Sequence, residues 1–395
     1  MRAATAHSTE TETSRAVADA YAALVRELGG PPDWLLVQSA VHHDVAALQR
    51  AVAATGVRAI HGGSSCLGVM TQAGVHGATG LGLFGLRDEH GSFGVGLAPL
   101  GEDAAAAAGA ALQRAIDAAG RQGEVPTLVW VTSAPGREEA CIAGIEAVIG
   151  REVPVVGGST ADDAVAGGWY QFTHAERHTD AIVVTALYPS TSVTSAFQSG
   201  YSPTERTGTV TRAERRTILE IDGKPAAAVY DEWSGGAIAH AMPAGGSVLA
   251  TTSLHPIGRR VGELGGVAYY RLAHPESVSA DAGLHLFADV AEGDELVLMQ
   301  GSVDALLTRA GRVAEDALAL AQLAPRDAAG ALVIFCAGCM LTVRDQLAQV
   351  VAGLNTALGG APFIGCFTFG EQGCFVGGEN RHGNLMISVT VFARS

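Results

Sequence analysis

Three times along this chain an apolar strand, a helix and a second apolar strand run into a glycine-centred turn rich in hydroxyl side chains. The first copy joins Trp34-Leu35-Leu36-Val37 to Ile60-His61-Gly62-Gly63-Ser64-Ser65. The second joins Leu128-Val129-Trp130-Val131 to Val155-Val156-Gly157-Gly158-Ser159-Thr160, and the third joins Leu332-Val333-Ile334-Phe335 to Phe363-Ile364-Gly365-Cys366-Phe367-Thr368. Each spans the roughly 30 residues that a strand, a crossover helix and a parallel partner strand require. Parallel pairing puts the glycine turns on one edge of a sheet, the usual place for ligands in such folds.

Composition excludes several classes. With 395 residues, 48% of them hydrophobic and 16% charged, the chain can fill more than one core. No apolar run approaches the roughly 20 residues of a membrane helix, and the polar start shows no secretory signal. A cytoplasmic protein without a membrane partner is expected. The net charge of -15, with basic residues scattered, argues against nucleic acid. Lys224 is the sole lysine, which excludes a Gly-Lys-Ser/Thr phosphate loop.

Strand and helix signals alternate, which predicts an α/β fold. Two related halves are expected, each a mainly parallel mixed sheet with flanking helices. Helices are predicted over 102–119, where an acidic first turn precedes an alanine run, and over 303–323. Strands are predicted over 181–187, 266–272 and 385–392. Residues 1–15 read as a disordered tail. The polar stretch 201–216, with Pro203 and several arginines, reads as a linker or crossing segment, placing a boundary near residue 210. A strand closed by a turn over 218–225 and a short helix over 226–233 follow.

Along most of its length the sequence resembles the two-part FIST sensory family (F-box and intracellular signal transduction). Val155-Val156-Gly157-Gly158-Ser159-Thr160-Ala161-Asp162-Asp163 is similar to that family's N-terminal signature. The stretch 331–338, followed by Gly365-Cys366-Phe367-Thr368-Phe369-Gly370-Glu371-Gln372-Gly373, is similar to its C-terminal half. The resemblance implies a FIST N-like sensory domain over 16–209 and a FIST C-like domain over 210–395. It also implies an intracellular small-ligand sensor. The Thr-Phe-Gly-Glu-Gln-Gly wording favours the branch that binds haem b, senses nitric oxide and signals through a partner histidine kinase or cyclic-di-GMP enzyme.

A haem gas sensor commonly offers iron one neutral imidazole. Of 13 histidines, His255 and His274 each precede a proline, which holds the backbone extended and can fix the ring's direction. His274 is preferred as the iron ligand because Tyr269, Tyr270 and Leu272 can form a flat wall beside it; His255 follows, and His61 comes third, beside Gly62-Gly63. Phe367 and Phe369 are candidates to pack against a porphyrin face. At the turns themselves, Gly158, Ser159, Asp163, Thr368 and Glu371 are candidates to hold a small ligand, although aspartates there more often cap helices or close turns.

The cysteines offer a competing chemistry. Cys336-Ala337-Gly338-Cys339 lies between a strand and a helix, and Cys366 and Cys374 are expected nearby, so a redox pair or thiolate metal site is conceivable beside the plainer reading of buried thiols. Three functions stay open. The first is a haem-based sensor of nitric oxide or a similar diatomic gas, working through a separate partner. The second is an enzyme, haem-dependent or using Asp163 and Glu371, acting on a small nitrogen-containing substrate. The third is a cofactor-free sensor of an amino acid or similar ligand.

Overall fold

A computed structural model describes residues 1–242, 244–264, 266–375 and 377–394. It is a mixed α/β protein in which one strand–helix pattern occurs three times. The first repeat runs β1 (Arg2–Ser8), α1 (Thr13–Leu28), β2 (Trp34–Ser39), α2 (Val45–Ala53), β3 (Ile60–Ser64), a hairpin of β4 (Val69–Thr71) and β5 (Gly74–His76), then β6 (Leu81–Arg87). The second runs β7 (Ser92–Pro99), α3 (Ala104–Ala118), β8 (Leu128–Ser133), α4 (Glu138–Ile149), β9 (Val155–Ser159), a hairpin of β10 (Gln171–Phe172) and β11 (Arg177–His178), then β12 (Ala181–Tyr188).

The third repeat starts with β13 (Val193–Ser199) and is then interrupted. The interruption holds β14 (Ser202–Glu214), β15 (Thr217–Ile221), β16 (Lys224–Pro225), α5 (Ala226–Trp233), β17 (Gly246–Ser247), α6 (Leu249–Thr252), β18 (Ile257–Leu264), β19 (Val267–Ala273), β20 (Pro275–Val278), β21 (Leu284–Leu286) and β22 (Glu295–Gln300). The repeat resumes with α7 (Val303–Leu320), β23 (Ala328–Cys336), α8 (Ala337–Thr342), α9 (Leu347–Ala357), β24 (Phe363–Thr368), a hairpin of β25 (Glu371–Cys374) and β26 (Asn380–Gly383), and β27 (Met386–Ala393).

Each repeat builds a sheet with one parallel pair, β2/β3, β8/β9 or β23/β24, flanked by antiparallel strands. None completes its own sheet. The orders are β1-β6-β2-β3-β10-β11, β7-β12-β8-β9-β25-β26 and β13-β27-β23-β24-β4-β5. The hairpin of the first repeat joins the third sheet, that of the second joins the first, and that of the third joins the second. The interrupting segment makes a nine-stranded antiparallel sheet with its own core of Ile218, Tyr230, Ile257, Leu284 and Leu298.

The three sheets turn one face toward each other. Their shared core takes Trp34 and Phe84 from the first sheet, Trp130 and Leu187 from the second, and Ile334 and Phe392 from the third. The outer faces carry the helices: α1 and α2 on the first sheet, α3 and α4 on the second, α7 and α9 on the third. Strands buried on both faces favour apolar residues at successive positions, which is why β2, β8 and β23 contain the apolar runs Trp34-Leu35-Leu36-Val37, Leu128-Val129-Trp130-Val131 and Leu332-Val333-Ile334-Phe335. Helix starts are set by the side chains of Glu12, Asp44, Asp103 and Ser302, each accepting backbone N–H groups of the first turn.

Two expectations are corrected. Residues 1–15 are ordered: Ala4 and Ala6 alternate inward, β1 pairs along its whole length with β6, and Glu12 caps α1. Short alanines conceal that alternation in a polar stretch. Residues 202–214 form β14 rather than a linker, paired with β15 and β22; its side chains are mostly exposed, so the hydropathy signal of a core strand is missing, and the boundary expected near residue 210 falls inside this strand. The helices expected near 102–119 and 303–323 and the strands near 181–187, 266–272 and 385–392 are present. No described helix is long and apolar enough to cross a membrane.

Helix α3 lies unusually close to β7. A Cβ on Gly94 would stand 1.9 Å from the Ala115 carbonyl oxygen, and one on Gly96 would stand 2.1 Å from that of Ala111. The alanine face of α3 and these two glycines are one packing solution. Gly96→Val must push the helix off the sheet; a loss of at least about 1–3 kcal/mol is expected, read as a lower urea midpoint, whereas Gly77→Ala, with open space around it and no positive φ, should change the midpoint far less.

Candidate functional site

The three parallel pairs end in register at Ser39/Ser64, Ser133/Ser159 and Cys336/Thr368. The turns that follow are tied to one another. Cys66 N–H donates to the Phe367 carbonyl (3.0 Å), Ala161 N–H to the Ser64 carbonyl (3.3 Å) and Phe369 N–H to the Ser159 carbonyl (3.3 Å). First turn to third, second to first, third to second: the bonds close a ring. Two further bonds brace it, from Ser159 N–H to the Gly370 carbonyl (2.8 Å) and from Phe367 N–H to Ser65 Oγ (2.8 Å).

Beside this ring lies a small cavity of about 50 Å³. Its walls include Cys66 from the first turn, Asp162, Asp163 and Val165 from the second, and Cys336, Thr368 and Phe369 from the third repeat. Leu249, His274 and Phe287 close it from the interrupting segment, with Ala337, Gly338, Leu341 and Asn384 completing the lining. Asp162 organises the 162–168 loop, accepting from the N–H groups of Ala164, Ala166 (2.9 Å) and Gly168 (2.7 Å). Asp163 accepts from Leu67 N–H at 2.7 Å, joining second turn to first.

Of the residues singled out from sequence, Asp163, Thr368, His274 and Phe369 line this cavity. Thr368 donates its hydroxyl to Glu371 (2.8 Å), whose other oxygen accepts from Met386 N–H (3.0 Å). Glu371 is wholly buried behind Thr368. Burial, with Cys336 beside it, holds its carboxyl well above the usual carboxylate range, which favours the neutral form. Ser159 hydrogen-bonds to Glu138 (2.7 Å) and, like Gly158, stands outside the cavity wall; a Cβ on Gly158 would meet Thr368 Cγ2 at 2.5 Å.

The other candidates are elsewhere. His61 sits between the first two sheets, its ring nitrogens bonded to Thr185 and Thr132 hydroxyls, each at 2.8 Å. Burial pushes its pKa down to about 3. His255 is absent from the cavity wall, and its buried Nδ1 has no hydrogen-bond partner among the described residues. Tyr270 borders a separate groove with Arg260 and Pro203, and Phe367 packs edge-on against Phe335. His274 Nε2 pairs with the Thr252 hydroxyl at 3.0 Å, and burial lowers its pKa to about 4.

Among the described residues no three cysteines lie close enough together to share a metal ion. Cys66 and Cys336 face the cavity, Cys339 packs in the core outside the third sheet, Cys366 lies in the shared core, and Cys374 is in β25. Burial pushes the Cys66 and Cys366 thiols up to about 12 and Cys336 well above its usual range, which removes thiolate reactivity.

Sequence reasoning missed two features. Asn384 is buried in the cavity wall, yet an asparagine after glycine reads as an ordinary turn residue. Arg216 bridges Glu138 (2.7 Å), Glu139 (2.7 Å) and Asp289 (3.0 Å), joining the nine-stranded sheet to α4 of the second repeat. Glu138, Glu139 and His382 are the one grouping among the described residues close enough to share a metal ion. Arg216 pairs with both glutamates, and His382 hydrogen-bonds to Gln372 and the Phe287 carbonyl, so the group is already engaged as an ion-pair joint. Burial opposes ionisation of Glu138, but the His382 ring and the Arg216 guanidinium outweigh it and hold the carboxyl down to about 2.

Two outcomes are expected. Arg216→Met strands a buried carboxylate and should cost about 3–5 kcal/mol by urea unfolding; adding Glu138→Gln should restore much of it. His61 and His274 stay neutral in the folded protein while the unfolded chain takes up protons below about 6.5. Stability is therefore complete above that pH and falls on acidification toward pH 4, by up to about 1.4 kcal/mol per pH unit per histidine. Urea midpoints of His61→Gln between pH 7 and 5 should show a slope shallower by about one proton.

Comparison with known proteins bears on this arrangement. The chain matches the FIST N domain over residues 33–224 and the FIST C domain over residues 226–374. An uncharacterised protein of Methanocaldococcus jannaschii is 34% identical over 87 residues, a stretch covering 22% of this chain and 17% of that protein. Among solved structures, a cyanuric acid hydrolase from A. caulinodans aligns over 100% of this chain and 99% of its own at 10% identity, with a TM-score of 0.41. A second cyanuric acid hydrolase aligns over the same shares at 10% identity and a TM-score of 0.34. The two matched domains together span most of the sequence, and the chain belongs to the FIST family.

Proposed function

We propose that this protein is a small-ligand sensory module that binds its ligand, without haem, in the cavity beside the three joined turns. One observation carries the reading: the cavity takes walls from all three repeats and from the interrupting segment, so a bound molecule touches both FIST domains at once. Such a molecule stabilises the arrangement in which those walls are together, and that differential stabilisation is the physical content of a sensor. Output through a separate partner, a histidine kinase or cyclic-di-GMP enzyme, is the proposed continuation.

Haem does not fit these residues as placed. A cavity of about 50 Å³ is far below the ~300 Å³ at which pockets for drug-sized ligands begin. Both His61 nitrogens are engaged, His274 Nε2 is held by Thr252, and neither His255 nor Tyr270 reaches the cavity wall. The enzyme alternative is not favoured either, since Glu371 is sealed behind Thr368 and Asp163 is engaged by Leu67.

A thermal-shift screen of small metabolites tests the proposal. A true ligand at 100 times its Kd adds about 2.7 kcal/mol, raising Tm by a few degrees. Gly338→Val, whose first added carbon already meets Leu385 at 3.0 Å and His274 at 3.3 Å, should abolish the shift. Equal shifts in the variant would remove the cavity from consideration. A Soret band after haem reconstitution, lost in His274→Ala, would overturn the haem-free reading.

A further inference from the structure

Asn384 has a polar group that the described residues leave without a partner. The residue is 1% exposed and lines the cavity. Its backbone N–H donates to the Leu272 carbonyl (2.9 Å), and its Oδ1 accepts from His274 N–H (3.2 Å). Those two bonds fix which way the side chain is turned. The amide nitrogen, buried with two hydrogens to give, has no acceptor among the described residues. Buried donors are nearly always satisfied, and one left open in a cavity wall asks for an acceptor from outside the chain.

The rest of the lining says what kind of molecule brings that acceptor. Val165, Leu249, Phe287, Ala337, Leu341 and Phe369 present apolar surface. No arginine or lysine is among the lining residues, whereas Asp162 and Asp163 are. An anion would enter an apolar space next to two carboxylates with no cation to compensate, which is strongly unfavourable. A cation could meet Asp162 and Asp163 but cannot accept from the amide nitrogen, which it would leave unpaired. The volume of about 50 Å³ suits only a few heavy atoms.

The rim is also unusual. Val165 and Leu341 are 38% and 48% exposed, and each belongs to the lining. Val165 is held at φ 54, a left-handed conformation that β-branched residues avoid. Asp162 imposes it through the bonds that close the 162–168 loop. Strain of this kind is retained where surrounding structure over-determines it, and here it places an apolar side chain at the cavity mouth.

We infer that the cavity selects a small uncharged ligand, a carbonyl or carboxamide compound of a few heavy atoms, whose oxygen accepts from the Asn384 side-chain amide. This rests on the proposed ligand-binding role of the cavity and adds its selectivity. The test is an NMR titration of the full chain, following the Asn384 side-chain amide pair, with acetamide, acetate and ethylammonium as probes of similar size and different charge. Acetamide should shift that pair and saturate, with acetate and ethylammonium weaker by about tenfold or more.

Asn384→Asp keeps the acceptor for His274 N–H and removes the donor; at pH 7 it should weaken acetamide binding by about tenfold, and the buried carboxylate beside Asp162 and Asp163 should lower Tm. If acetate binds as tightly as acetamide, or the Asn384 pair stays still while a probe binds, the selectivity inference is overturned and the cavity's role as a ligand site survives. If no probe shifts any cavity resonance, the inference is overturned outright. Should Asn384→Asp not fold, the three-probe comparison on the unmodified chain decides the matter alone.

Discussion

The exchange of hairpins between repeats is the constraint on which the rest depends. Strands β3, β9 and β24 would each be exposed sheet edges if the repeats stood alone, and each is covered by a hairpin from another repeat. Because the exchange runs around all three repeats, it brings the carboxyl ends of all three parallel pairs to one place. The ring of backbone bonds among the turns follows, and so does the cavity beside it. Two sequence-defined FIST domains thus share one set of sheets: β4 and β5 from the N-terminal domain finish the third sheet, and β25 and β26 from the C-terminal part finish the second.

Around the cavity, burial acts mainly to neutralise. Glu371 keeps its proton, His274 stays uncharged, and the Cys66 and Cys336 thiols stay thiols. Charge is retained where partners are close, as in the Arg216 joint between α4 and the nine-stranded sheet. The molecule therefore separates its electrostatics: ion pairs fasten domains, and the enclosed cavity is lined by groups that either lack charge or are already engaged.

Much of this was legible in the sequence because periodicity and glycine turns are local signals. The threefold strand–helix–strand pattern, the α/β class and the positions of the turns near Ser159 and Thr368 could all be read from short windows. What was hidden is long-range or weakly patterned. β1 is built on small alanines, and β14 is polar because much of its surface meets solvent. No local cue says that β4 will pair with β24 or that Arg216 will meet Glu138. Histidine-proline pairs drew attention to His255 and His274 alike, yet only tertiary packing put one in the cavity wall and left the other outside it. Asn384 carries no motif at all; that its side-chain amide is buried without an acceptor among the described residues is visible only in the fold.

The same hairpin exchange has a consequence for synthesis. When the first repeat leaves the ribosome, the β4–β5 hairpin has no sheet to join, since β24, the partner of β4, comes nearly 300 residues later. Strand β9 likewise waits for β25. The contact order of the fold is high for this reason, and folding cannot proceed repeat by repeat to completion. Until β24 and β25 have been made, the nascent chain presents open sheet edges, so its passage to the closed state is the interval of greatest exposure to misassociation.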